Sequence, residues 1–303
     1  MTQRILLFPG QGSQYLGMGK KLAESHAGAK RLLDEANATL GFDLADILWN
    51  GPEEKLTSTD NTQPALFTVS MMAMEWLKER DIAVDYAAGH SLGEYSALCA
   101  AGVFSFADGL KLVRLRGELM AKAGVAKPGA MSAILGLERD KLEEALKAAS
   151  ASGIVVAANF NSTTQIVISG EAGAVAAAEQ LCSDAGAKKV VRLAVSGAFH
   201  SPLMEYAVEG FKPGLEAVSF SAPKMPIIQN VTAAPETDPA ALKAGLLKQL
   251  TAPVRWVESM QWAAAQGVTE ALEVGAGKVL MGLLRGITRD VKVTPVENPE
   301  DLA

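Results

Sequence analysis

The apolar and polar positions of the chain switch rhythm several times. Residues 4 to 8 form a short apolar run that stops at Pro9-Gly10, as a buried strand does. A loop follows, Gly10-Gln11-Gly12-Ser13-Gln14. Helical spacing fills 17 to 38 and returns over 63 to 79, after Thr62-Gln63-Pro64. Residues 83 to 88 read as a strand. From Ser91 a helix runs to about Ala101, with Leu92, Tyr95, Leu98 and Cys99 on its inner face and Gly102 suited to its C-terminal cap. Another helix spans 106 to 123.

Between 124 and 195 the pattern changes. Strands are predicted at 131 to 135, 154 to 160, 165 to 169 and 188 to 195. Helices fall at 138 to 150 and 172 to 185. This β-α-β-β-α-β order is the ferredoxin-like pattern. Strand–helix alternation resumes afterwards, so the expected fold is α/β, hydrolase-like, with a parallel-sheet core and an inserted ferredoxin-like subdomain. Residues 1–123 and 196–303 form the large catalytic domain, and 124–195 the insertion. The tail from Asn298 is expected to fray.

Composition narrows the class. With 303 residues, 49% apolar and 20% charged, the chain is globular. A net charge of −6 argues against a general nucleic-acid binder, which needs a basic face. No run approaches the roughly 20 apolar residues of a membrane span, and the run at the N-terminus is too short for a signal segment. Cys99 and Cys182 both lie in helical patterns and read as buried thiols. A cytoplasmic protein is expected.

Candidate chemistry begins at Gly89-His90-Ser91-Leu92-Gly93. Gly-x-Ser-x-Gly is the pattern of a nucleophile elbow, which lifts a serine hydroxyl clear of a sheet beside backbone N–H groups. The pentapeptide alone leaves Ser91 open between a nucleophile and a chance match. Two glycine motifs are rejected. Gly-x-Gly-x-x-Gly at position 10 fails at Tyr15, and Gly275-Ala276-Gly277-Lys278 is followed by Val279 where a phosphate loop needs Ser or Thr.

A serine nucleophile needs a base, and the chain has three histidines. His26 reads as a solvated residue at a helix end. His90 adjoins Ser91, and the turn should aim it elsewhere, where it could hydrogen-bond locally and shape the elbow. His200 follows a predicted strand in a small-residue loop, so elimination favours it if a base is required. Arg116 lies on the stripe of Leu112, Leu119, Met120 and Ala123, away from the polar face of Lys111, Arg114, Glu118 and Lys122. A guanidinium there needs an anion, either a structural ion pair or a substrate carboxylate, unless it snorkels to water.

Taken together, the sequence resembles the malonyl-CoA:acyl carrier protein transacylases over nearly its whole length. The matching segments are Phe8-Pro9-Gly10-Gln11-Gly12-Ser13-Gln14, Thr62-Gln63-Pro64-Ala65, Gly89-His90-Ser91-Leu92-Gly93-Glu94, Arg116-Gly117, Asn159-Phe160-Asn161-Ser162, Gly197-Ala198-Phe199-His200-Ser201 and Glu273-Val274-Gly275 through Leu280. The resemblance implies Ser91 as the acylated nucleophile, His200 as its general base and Arg116 as the clamp on the malonyl carboxylate. It implies the N–H groups of Gln11 and Leu92 as an oxyanion hole, and the main-chain carbonyl of Gln249 as the group that orients the histidine. Phe199 resembles the bulky residue of malonyl-selective members, which leaves little room for a 2-methyl branch.

The activity so implied is ping-pong transfer of malonyl from malonyl-CoA to the phosphopantetheine thiol of acyl carrier protein. No cofactor is expected, nor a metal, and the enzyme is expected to act as a monomer. Lys188, Lys189 and Arg192 are candidates for an acidic carrier protein, and a solvated strand edge explains them equally well. A serine hydrolase or thioesterase, and a non-catalytic docking module, are the competing classes. A hydrolase would have no reason to bury Arg116.

Overall fold

The computed structural model describes residues 3–195 and 197–302. Among the described residues ten strands form two sheets. In chain order they are β1 (Gln3–Phe8), β2 (Tyr86–Gly89), β3 (Gly129–Leu135), β4 (Val155–Ser162), β5 (Gln165–Glu171), β6 (Lys189–Arg192), β7 (Ile227–Ile228), β8 (Pro235–Glu236), β9 (Val268–Val274) and β10 (Lys292–Val296).

The larger sheet runs β10-β9-β1-β2-β7-β8, parallel throughout except for the short β7–β8 pair. Its centre is β1, and the run of apolar residues there has a simple cause. Leu6 and Phe8 belong to the core shared with the Thr59–Lys78 and Phe106–Ala126 helices, while Ile5 and Leu7 belong to the separate core shared with Trp256–Ala265 and Val279–Arg285. A parallel strand covered on both faces has no polar side to present.

The smaller sheet runs β4-β5-β3-β6 and is antiparallel, the ferredoxin-like order. Helices Arg139–Ala149 and Ala172–Asp184 cover one face of it. From the other face Met131, Ala133 and Val167 join the core of the large sheet's helices. Backbone bonds also cross between the two parts. Phe160 N–H donates to the Val254 carbonyl, and Val254 N–H to that of Ala158, both at 2.9 Å. The expected return to the large domain at residue 196 falls on Ser196, which lies outside the described residues.

Four expectations need correction. The helical stretch 17 to 38 is two helices, Lys20–Ser25 and Ala27–Leu40, because His26 turns extended and its ring accepts the Ala29 N–H as a cap. That ring also bonds Glu79 at 2.8 Å, so His26 is not a free surface residue. The tail from Asn298 forms a 3₁₀ turn, Pro299–Leu302, held by Asp301. Cys99 is only half-buried, whereas Cys182 is in the core; neither forms a disulfide.

Candidate active site

Three neighbouring strands of the large sheet end beside one cavity. Loops at the carboxyl ends of parallel strands are where such sheets gather ligands. After β1 comes Gln11, after β2 comes Ser91, and after β7 comes Asn230.

The turn after β2 is tight. A Cβ on Gly89 would sit 1.9 Å from the Gly93 carbonyl, and one on Gly93 would sit 2.0 Å from the Phe8 oxygen. Only glycine fits at either place. Ser91, at the apex, has φ 52°, and the helix Gly93–Ala100 starts directly after it. Asn230 holds the turn from the side, accepting the Ser91 N–H at 2.7 Å and donating to the Gly89 carbonyl at 2.7 Å.

Ser91 Oγ lies 2.8 Å from His200 Nε2. The other ring nitrogen, Nδ1, is 2.8 Å from the Gln249 main-chain carbonyl. A carbonyl can only accept, so Nδ1 carries the proton and Nε2 is left as a base toward the hydroxyl. His200 is 4% exposed. Burial first, and the Arg116 charge second, push its pKa down to about 3, so the ring is neutral at physiological pH.

Arg116 arrives from the Phe106–Ala126 helix and is 1% exposed, so it does not snorkel. Its NH2 donates to Ser91 Oγ and to Gln249 Oε1, both at 3.0 Å, and NH1 donates to Gln63 Oε1 at 2.9 Å. The Nε–H has no partner, and no carboxylate pairs with the guanidinium among the described residues. Of the three alternatives for this arginine, the structural ion pair and the snorkel are therefore absent. An uncompensated buried charge costs several kcal/mol, a large fraction of a domain's net stability. The nearest formal counter-charge, Glu94, is itself pushed up to about 7 by burial.

The remaining wall follows from these contacts. The cavity is lined by Ser91, His200 and Arg116, by the apolar Met120, Met131, Val167 and Phe199, and by Gln11 and Leu92. The backbone N–H groups of Gln11 and Leu92 donate to no group among the described residues. His90 points away from Ser91, as expected, and its bond is not local: Nε2 reaches Asn161 on β4 at 2.8 Å.

Four partners escaped sequence reasoning: Gln63, Glu94, Asn230 and the side chain of Gln249. Glu94 accepts from Asn230 N–H at 3.0 Å and from Gln249 Nε2 at 2.9 Å. Asn230 lies two residues past the Ile227–Ile228 strand, a place that does not tell which group it bonds. Of the three basic residues noted at β6, Arg192 is paired with Glu179 at 2.7 Å, leaving Lys188 and Lys189 exposed.

Residues 5–297 match the acyl transferase domain family. The malonyl CoA-acyl carrier protein transacylase of Bacillus subtilis (strain 168) is 46% identical over 303 residues, which is all of this chain and 96% of that protein. The chain belongs to this transacylase family. Among solved structures, the acyl-carrier-protein-S-malonyltransferase of Bartonella henselae superposes with a TM-score of 0.96 at 43% identity, covering 99% of this chain and 97% of that one. A malonyl-transacylase in complex with its type II PKS acyl-carrier protein also gives 0.96, at 40% identity, covering 99% of this chain and 98% of that one. The two-part fold is therefore shared with both over nearly their full length.

Proposed function

We propose that the chain transfers a malonyl group from malonyl-CoA to the phosphopantetheine thiol of acyl carrier protein, through a malonyl ester on Ser91. The observation that carries this reading is the buried guanidinium of Arg116, without a carboxylate partner and one hydrogen bond from the Ser91 hydroxyl. A carboxylate two carbons from a thioester carbonyl meets both requirements. It would take the Nε and NH2 edge of Arg116 in a bidentate pair and free Oγ for attack.

In the first half-reaction His200 Nε2 takes the hydroxyl proton as Oγ attacks the thioester carbon. The N–H groups of Gln11 and Leu92 receive the oxyanion; one such donor contributes about 3 to 4 kcal/mol. His200 then returns the proton to the departing CoA sulfur. In the second, His200 takes the proton of the carrier's thiol, the sulfur attacks the ester, and Ser91 leaves protonated. Gln249 holds the imidazole through its carbonyl, and Phe199 crowds the carbon between the two carbonyl groups. The carrier brings its own phosphopantetheine, so these steps draw on no cofactor of the enzyme. A solved relative in complex with an acyl-carrier protein supports that partner. Exposed Lys188 and Lys189 are the docking candidates on this chain.

Mixing the protein with malonyl-CoA, methylmalonyl-CoA and acetyl-CoA side by side, with and without carrier protein, tests the reading. A single malonyl adduct on Ser91 that passes to the carrier is expected. Release of free malonate with no loaded carrier would make the protein a thioesterase, and absence of any adduct would make it a docking module.

A further inference from the structure

The rejected Gly275-Ala276-Gly277-Lys278 motif has no part in these steps, yet it packs against the loop that carries Gln11. Its resemblance to a phosphate loop ends at chemistry. Buried Glu273 already accepts the N–H groups of Leu280 and Met281, at 2.8 and 2.7 Å. What the turn meets instead is the 9–13 segment. A Cβ at Gly275 would strike Ser70 Oγ at 2.4 Å and press on Pro9 Cγ at 3.3 Å. Gly277, at φ 78°, lies with its missing Cβ only 3.4 Å from the Ser13 carbonyl oxygen.

Glu297, next after β10 and 8% exposed, joins the two segments. One carboxylate oxygen accepts the Tyr15 hydroxyl, and the other accepts the Gly277 N–H at 3.3 Å. Asp301 fixes Glu297 in turn, accepting its N–H at 2.8 Å and that of Asn298 at 2.7 Å. Tyr15 is 43% exposed, so its ring contributes little packing on the outer side, but its hydroxyl is committed to a charged acceptor. Partial burial, with Glu297 beside it, raises the phenol's pKa, so it stays a donor. Without this tether, the loop is anchored beyond Gln11 mainly at Gly17, whose N–H meets the Leu48 carbonyl at 2.8 Å. Three glycines with positive φ, Gly12, Gly17 and Gly19, lie between β1 and the Lys20–Ser25 helix.

We propose that Tyr15, Glu297 and the 275–277 turn form a clasp that fixes the Gln11 N–H in the oxyanion site. Tyr15 and Glu297 are then positioning residues for acyl transfer. This rests on the reading of Gln11 as an oxyanion donor. The Gln11 side chain gives the donor one hold, a 3.3 Å bond from Nε2 to Thr59 Oγ1; beyond it the placement of the N–H depends on what pins the rest of the loop, and a site loosened by a fraction of an ångström loses rate.

The test is steady-state transfer by Tyr15→Phe, Glu297→Ala and the double variant, with malonyl-CoA and acetyl-CoA. A displaced donor forfeits part of the hundredfold or more that a missing one costs, so kcat should fall about tenfold in each single variant. KM should stay within about twofold, since ground-state binding is untouched. The loss should be equal for both acyl groups, and the double variant should be no slower than the slower single one. Unchanged kcat in Tyr15→Phe, losses that multiply in the double variant, or a loss confined to KM would overturn the clasp. Tyr15→Phe removes one hydroxyl from a half-exposed ring and decides the case alone if Glu297→Ala does not fold. Adduct formation on Ser91 of the unmodified protein is scored separately: its absence sinks the oxyanion reading itself, whereas its presence beside a fully active Tyr15→Phe sinks only the clasp.

Discussion

Ser91 and His200 approach each other from left-handed backbone on both sides, at φ 52° and 56°, with 2.8 Å between Oγ and Nε2. Neither is glycine, and each such residue stores about 1 to 3 kcal/mol of strain. The surrounding bonds hold it there: Asn230 on the Ser91 N–H, and the Gln249 carbonyl on the imidazole. Strain of this kind at two residues that share a proton is what a pre-set nucleophile and base would require.

Removing the hydroxyl should therefore end the chemistry without ending the fold. Ser91→Ala is expected to show no malonyl adduct by intact mass, with a melting temperature within a few degrees of the unmodified protein. Its backbone contacts remain, and exposed-cavity truncations of one oxygen cost about 1 kcal/mol or less. Residual acylation in that variant would exclude Ser91 as the nucleophile.

Arg116→Ala should separate the acyl groups. Malonyl loses its counter-ion, so kcat/KM for malonyl-CoA is expected to drop by about a hundredfold or more, the scale of a buried charge-assisted pair. Acetyl-CoA has no carboxylate to lose and should change far less. Competition assays with the two thioesters give the ratio, and an equal loss for both would make the arginine structural.

Phe199, buried in the cavity wall, is proposed to act against branching. Phe199→Ser is expected to raise the methylmalonyl-to-malonyl ratio of kcat/KM by roughly tenfold, because a methyl group accounts for about 1 to 3 kcal/mol in a tight pocket. An unchanged ratio would remove this residue from the selectivity.

Two buried groups should give the stability opposite slopes with pH. His200 is held near 3 against 6.5 when unfolded, so the unfolded chain binds more protons between those values. Its contribution is whole above 6.5 and is lost as pH falls toward 3. Glu94 is held near 7 against 4.5, so its contribution is whole below 4.5 and is lost as pH rises through 7. Glu94→Gln keeps the shape and an acceptor for Asn230 without the charge. Urea unfolding should find it gaining on the unmodified protein at pH 8 and showing no such gain at pH 4.5. A constant difference at both values would mean the carboxyl is not titrating in this window.

How much of this was legible depended on whether the signal was local. The elbow at Ser91 is written in five consecutive residues, and Arg116 stood out because a charge sat on an apolar stripe. The order of strands and helices in 131–192 was readable because sheet and helix periods differ. Asn230, by contrast, acts on a residue 139 positions away, and no pattern near it says so. Gln249 was reached only through the family resemblance, and only for its main-chain carbonyl. Its side chain also joins Arg116, Ser91 and Glu94, contacts that exist only once three distant segments have met. His26 was misread because polar neighbours suggest solvent, while the backbone needed a cap.

The pairing of Val254 with β4 bears on protein engineering. A designer who grafts the inserted lobe from a relative, hoping to import its acyl preference, would cut two main-chain bonds at the seam unless residues around 254 travelled with it. Recombination boundaries drawn at 124 and 195 alone would leave β4 with a foreign neighbour on that edge, and chimeras that also carry the 252–256 stretch should be the ones recovered as active protein.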